Sequence, residues 1–212
     1  MIVERLTVGP IEANCYLVGD ETSLEGLVID PGDEAEQINQ KIQRLGLKIK
    51  YIVLTHGHFD HTSATGAVQE ATGAKLAAHQ ADLKLLNDDF LPRMIGLQMK
   101  PVPAPDTVLL GWEDIVVGKL IFTVLHIPGH SPGGIALYGG DMVFTGDTLF
   151  AGGIGRTDLP GGDYDTLIDS LNTRLLALDD KIKVYPGHGP DTTIGDERRG
   201  NPYLVNPPRR KC

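Results

Sequence analysis

Three imidazoles and a carboxylate crowd the six residues His56-Gly57-His58-Phe59-Asp60-His61. In an extended chain, side chains two apart point the same way, so His56 and His58 can share one metal ion. Asp60 and His61 stand where the chain turns into an expected helix over 62–72, and from there they can face a second ion. A helix N-terminus favours an ionised carboxylate and disfavours a charged imidazole, which are the forms a metal requires. Further along, His130 can complete the first ion's set and His188 the second, and Asp147, with two oxygens, can bridge them. Imidazole and carboxylate without thiolate suit zinc, iron or manganese in a catalytic role. From this chain's own composition, the spacing H-x-H-x-D-H arises by chance with odds on the order of 10⁻³. The competing interpretation is a polar surface loop whose histidines meet water or cap helices. Two histidines fall outside the pattern. His126, within a strand, is expected to be a satisfied core residue or to support a ligand. His79, at the start of a helix, is expected to be a surface or capping residue.

The residues flanking these groups repeat one arrangement. Tyr51–Leu54 leads into the histidine loop, Phe122–Ile127 into Pro128-Gly129-His130, Met142–Phe144 into Gly146-Asp147, and Ile182–Tyr185 into Pro186-Gly187-His188. Each apolar strand delivers a candidate ligand just past its carboxyl end, where ligands bind in open α/β folds. Before them, Ile2–Val8, Asn14–Gly19 and Leu24–Asp30 read as an antiparallel meander, closed by the turn Asp30-Pro31-Gly32. Strands are also expected at Ile115–Val117 and Ile135–Tyr138. Helices are expected over 34–45, 62–72, 80–87 and 164–178, the last with Leu167, Leu171, Leu175 and Leu178 on one stripe. The stretch from Pro92 to Pro105 reads as a loop lying over a cleft, and the tail as irregular. Strands and helices in alternating clusters imply a layered α/β arrangement, with helices outside a sheet sandwich. The 212 residues suit one domain spanning 1–212.

Formal net charge is −9, which repels a phosphate backbone and argues against nucleic-acid binding and RNA processing. The basic run Arg209-Arg210-Lys211 is short and is expected to be a solvated end. The two cysteines, Cys15 and Cys212, form no disulfide framework. Cys15 is expected to be a small buried hydrophobe. The N-terminal residues do not form a signal peptide, and no run approaches the length needed to span a bilayer. A cytoplasmic protein with no membrane association is therefore expected.

With those residues in view, the sequence resembles the metallo-β-lactamase superfamily. The resemblance covers almost the whole chain, through the histidine loop, Asp30-Pro31-Gly32, Gly129-His130-Ser131-Pro132-Gly133, Gly146-Asp147-Thr148-Leu149-Phe150 and Pro186-Gly187-His188-Gly189. The stretch 146–158 is similar to glyoxalase II-like hydroxyacylglutathione hydrolases, closest to short single-domain bacterial members. The resemblance implies an αββα sandwich with a metal pair at one edge. His56, His58 and His130 would hold one divalent ion and Asp60, His61 and His188 the other, with Asp147 bridging; zinc comes first, then iron or manganese. It further implies a small-molecule thioester substrate, a water or hydroxide between the ions attacking its carbonyl with Asp60 alongside as the catalytic carboxylate, and a 2-hydroxy acid and glutathione as products. The sequence departs from the longer enzymes at Arg156, where they carry a glutathione-contacting Lys, and at Asp158, where they carry Tyr. Gly189 also follows His188 where they have an acidic residue, and the chain ends where they continue into a helical domain. Arg156 is a candidate substrate contact, with a bracing salt bridge as its alternative role. Other chemistries fit the scaffold: a persulfide dioxygenase with one iron, which shares the Gly155-Arg156-Thr157-Asp158 segment, or a lactone or β-lactam hydrolase. A metal-storage or interaction protein without turnover is the alternative outside enzymology. Oligomeric state is not encoded in any motif.

Overall fold

The computed structural model describes residues 1–94 and 96–205. The Arg209-Arg210-Lys211 run and Cys212 lie outside the described residues. Six strands form the first sheet in chain order: β1 (Ile2–Val8), β2 (Ala13–Gly19), β3 (Glu25–Ile29), β4 (Lys48–Val53), β5 (Lys75–His79) and β6 (Thr107–Leu109). The first three strands pair antiparallel, as expected, and the rest parallel. The second sheet holds β7 (Asp114–Val117), β8 (Leu120–His126), β9 (Ile135–Gly139), β10 (Met142–Gly146), β13 (Lys183–Pro186) and β14 (Thr192–Thr193), ordered 14-13-10-9-8-7. A small hairpin, β11 (Leu149–Phe150) and β12 (Gly153–Ile154), stands beside it.

Alternation along the strands sorts the core into layers. In β2, Tyr16 and Val18 join Leu27, Phe122, Phe144 and Leu137 between the two sheets. Cys15 and Leu17 point the other way, to a layer containing Ile38 and Ile42 of α1 (Ala35–Leu45) and Val68 of α3 (Thr65–Thr72). Outside the second sheet, Leu125, Val143 and Val184 pack on Leu167 of α5 (Tyr164–Ser170) and on Leu171 and Leu175. The result is helix, sheet, sheet, helix: an α/β sandwich of the αββα type. No helix among the described residues is long and apolar enough to cross a membrane.

Several local expectations give way, each for a physical reason. The helix expected over 62–72 is two pieces, α2 (Phe59–Thr62) and α3, because the Ala64 amide donates to Pro31 O at 2.9 Å and pulls the joint onto the Asp30 turn. The stretch 80–87 forms two 3₁₀ turns rather than a helix, since the Asp82 carboxylate is drawn inward to serve other loops. The long helix from 164 becomes α5 plus a π turn over Leu171–Leu175, where Leu176 N donates to Leu171 O at 2.8 Å. There Ser170 Oγ is tied to Pro128 O, and the leucine stripe stays on the core only through this extra residue. Strands β5 and β6 escaped notice because one is alanine-rich and the other has three residues. Of the stretch from Pro92 to Pro105, residues 96–105 are irregular and the start belongs to α4 (Phe90–Met94). The tail contains α6 (Ile194–Gly200) and α7 (Pro202–Val205), the latter with proline where a first helical residue tolerates it.

Candidate metal centre

Strands β8, β10 and β13 run in one direction within the second sheet, and their carboxyl ends share one edge. The loop after β4 crosses to meet them, joined through Ile135 N to Thr55 O at 2.8 Å. All seven side chains singled out as ligands lie around the cleft at this edge. His56, His58 and His130 offer nitrogens within 4.8 Å of one another, as do the donor atoms of Asp60, His61 and His188. His58 Nδ1 stands 2.9 Å from His130 Nε2, and His61 Nε2 stands 3.2 Å from His188 Nε2. Asp147 lies between the two groups. Its Oδ1 is 3.3 Å from His61 Nε2, and its Oδ2 is 3.8 Å from His130 Nε2 and 3.6 Å from His188 Nε2. Asp60 Oδ2 is 3.3 Å from His188 Nε2.

The far nitrogen of four of the five rings is occupied, which turns the near nitrogen to the cleft. His61 Nδ1 donates to Asp30 Oδ2 at 3.0 Å, His130 Nδ1 to Arg156 O at 2.7 Å and His188 Nδ1 to Glu12 O at 3.2 Å. Thr55 Oγ1 donates to Asp30 Oδ2 and accepts from His56 Nδ1 at 3.1 Å. His56 Nε2 and Asp147 Oδ1 are buried with no hydrogen-bond partner. Unpaired buried acceptors of this kind are costly unless something absent from the protein chain satisfies them. Converging lone pairs from nitrogen and oxygen fit divalent ions.

A family model described as the metallo-β-lactamase superfamily matches residues 8–188. The chain belongs to that superfamily. Among relatives, the hydroxyacylglutathione hydrolase GloC of Haemophilus influenzae is 40% identical over 210 residues, covering 96% of this chain and 98% of that one. The probable metallo-hydrolase YqgX of Bacillus subtilis is 40% identical, covering 94% and 96%. Among solved structures, the BLEG-1 B3 metallo-β-lactamase superposes with a TM-score of 0.91 at 35% identity, covering 97% of this chain and all of that one. TTHA1623 in a di-iron-bound form gives 0.87 at 43% identity, covering 95% and 100%. The chain is thus a metallo-hydrolase of the metallo-β-lactamase superfamily.

Within this metallo-β-lactamase centre, the supporting residues had no sequence signal as ligand partners. Asp30, expected only as a turn residue, is 1% exposed and accepts from Thr55 N, Thr55 Oγ1 and His61, so it orients one imidazole in each group. Asp82, also 1% exposed, accepts from Gly57 N, Ser131 Oγ and Gly133 N, and so fastens the His58 loop to the His130 loop. Asn14 Nδ2 donates to Pro186 O and Gly189 O, and Tyr16 Oη donates to Pro186 O, holding the His188 loop. Gly187 must be glycine: a Cβ there would sit 2.1 Å from Asp147 Oδ1. A polar residue just past a strand, facing inward, is the only hint any of these gives in the sequence.

Burial and mutual charge set the protonation states. Burial pushes His56 well down, with neighbouring imidazoles adding to it, and burial with His130 nearby lowers His58 to about 4. Burial also opposes charge on His61, but the Asp147 and Asp60 carboxylates outweigh it and the pKa rises. His188 is raised in the same way, burial being overcome chiefly by Asp60. For Asp147 and Asp60, burial favours the neutral acid, yet His61 and its neighbours hold both below the ordinary carboxylate range.

The remaining histidines pair with each other. His79, against expectation, is buried rather than on the surface, although it does cap the following turn by accepting from Ala81 N. It stacks on His126 at 4.1 Å, and His126 bonds Pro132 O in the ligand loop, the supporting role expected of it. Arg156 reaches the same cleft as the metal groups. Its guanidinium is exposed and makes a bidentate pair with Asp158, 2.8 Å on both arms, which holds the Asp158 carboxyl down to about 2.

Proposed function

We propose that this chain hydrolyses an acyl thioester, such as an S-(2-hydroxyacyl)glutathione, as a small-molecule substrate. In this reading His56, His58 and His130 would hold one divalent ion and Asp60, His61 and His188 a second, with Asp147 a further ligand shared by the two groups, and with zinc first and iron or manganese as alternatives. Bound there, such ions supply Lewis acidity that brings a water's pKa toward neutrality and polarises a carbonyl oxygen. Among the described residues lining this cleft there is no serine or cysteine, and in this reading water is the attacking group. Its oxygen bonds to the acyl carbon, the carbon–sulfur bond breaks, and the sulfur leaves as a thiol. Asp60 directs Oδ2 toward His188, and its ionised carboxylate takes the water's proton at Oδ1 and returns it to the departing sulfur. His130 and His61 keep their near nitrogens turned to the cleft because Arg156 O and Asp30 bind their far nitrogens.

The observation that carries this reading is the convergence of two triads of donors on either side of Asp147. The test is to measure S-lactoylglutathione hydrolysis and bound metal on one purified sample. About two ions per chain are expected, with turnover lost in His58→Ala. A second reading, persulfide dioxygenation at one iron, is favoured by the Gly155-Arg156-Thr157-Asp158 segment in the cleft wall. One iron with oxygen uptake and no thioester cleavage would establish it instead.

A further inference from the structure

The cleft beside the ligand groups has a volume of about 1210 Å³ including its opening to solvent, and its walls are mainly apolar. Ile11, Phe59, Leu91, Met94, Phe150 and Leu159 face it, and Met94 is 69% exposed although it is a large apolar side chain. Among the described residues lining it, Arg156 is the one lysine or arginine. That guanidinium already has a carboxylate in the bidentate geometry that gives Arg its specificity for anions. An incoming carboxylate would exchange one acid for another. Asp158, displaced but only two residues away, would stay close enough to repel it. An exposed pair of this kind is weak in itself, so the point is the absence of net gain rather than the strength of the lock. Lys100 lies in a neighbouring groove beyond Phe59 and Asp60, with Asp33 lining the same groove. The net charge of −9 adds nothing for an anionic ligand.

We propose that the cleft selects its acyl substrate by apolar contact and draws no affinity from negative charge on the leaving thiol, with Asp158 as the specificity-determining residue that neutralises Arg156. This rests on the thioesterase reading above. A glutathione thioester is therefore a substrate through its acyl group and thioester bond, and a neutral thiol serves as well.

The test uses the metal-loaded full chain with acetyl and hexanoyl thioesters of glutathione and of the neutral thiol N-acetylcysteamine. For a given acyl group, kcat/KM for the two thiols should agree within about threefold, and hexanoyl should exceed acetyl by about tenfold through burial of its methylenes. Asp158→Asn should raise the glutathione preference by about tenfold by freeing Arg156, and adding Arg156→Ala should abolish the rise. Met94→Ser should reduce the hexanoyl advantage and leave the thiol ratio unchanged. A wild-type preference for glutathione above about tenfold, lost in Arg156→Ala or Lys100→Ala, overturns the inference. So does equal turnover of acetyl and hexanoyl esters. If Asp158→Asn does not fold, the wild-type ratio and Arg156→Ala decide alone. Cleavage of none of these esters by fully metallated protein would instead remove the thioesterase reading itself.

Discussion

The floor of the cleft and its mouth are built on opposite terms. On the floor, His61 is fully buried, Asp30 takes its far nitrogen, and Asp30 in turn holds Thr55 and through it His56. Each group there is fixed by a partner that is itself fixed. At the mouth, the side chains of Arg156 and Asp158 are exposed and pair with each other, and Phe90 and Met94 project from a short helix. Charged and polar groups taken out of water must be satisfied completely, so the floor tolerates little change. Apolar rims and exposed pairs carry no such demand, and they are where substrate preference can drift between relatives with the same chemistry.

The sharpest way to break this contrast is to remove Asp30. Asp30→Ala leaves a buried Thr55 amide and the His61 ring without partners, a loss of about 2–4 kcal/mol. For a chain of this size that lowers Tm by roughly 5–15 °C. It should also weaken metal binding by about 10–100-fold, because one ring in each triad loses its orientation. Thermal unfolding and metal content measured together check it. Native-like metal retention would mean the floor is less constrained than its hydrogen bonds indicate.

Gly187→Ala comes next. Its Cβ would meet Asp147 Oδ1 and His61 Cε1, so Asp147 must shift by about an ångström, enough to lower kcat by about a hundredfold. Circular dichroism should stay native, since the collision with Asp147, His61 and the Gly146 backbone is confined to the cleft floor.

The floor also divides within itself, and acidity separates its halves. His56 and His58 are pushed down, so these two rings of the first triad favour the proton-free form at neutral pH; His61 and His188 are pushed up, so without an ion the second triad holds protons more readily. A metal entering the second triad must displace those protons, and lowering the pH strengthens their competition. As pH falls from neutral, affinity at the second triad should drop by about tenfold per unit for each proton displaced, while His56 and His58 add no such competition at the first until pH approaches the region of His58's pKa. Calorimetric titration of the metal-free protein in buffers of different ionisation enthalpy counts the protons released. Equal release for both ions would remove this distinction.

The same contrast explains what the sequence made legible. The clustering of these His and Asp side chains was legible because four strands end alike, each passing an apolar run into glycine and a His or Asp. The layered α/β arrangement, helices outside a sheet sandwich, was legible in the alternating clusters of strands and helices and in the apolar stripes of α1 and α5, and the resemblance implied its αββα form. Asp30 and Asp82 stayed hidden, because a single aspartate after a strand or in a polar stretch looks like any turn residue until its partners, 25 to 51 positions away, are in place. Strands β5 and β6 are short and extend a sheet whose first strands are far off in sequence. The π turn after Ser170 reflects a hydrogen bond to Pro128, 42 positions earlier, which no helical periodicity encodes. Tertiary partners decided these features, and local pattern could not.

The smallest expected effect lies at the mouth. Leu159 is partly exposed and faces the cleft, so Leu159→Ala leaves no buried polar group unpaired and opens no sealed cavity. Partial loss of its contact with substrate should cost about 1 kcal/mol, or about fivefold in kcat/KM, carried by KM rather than kcat. Metal content should match the wild type, and Tm should move by no more than about 2–4 °C. Because the loops carrying the candidate ligands are held by Asp30, Asp82, Asn14 and the Arg156 carbonyl and not by the Leu159 side chain, a loss of metal in Leu159→Ala would show that floor and mouth are one mechanical unit.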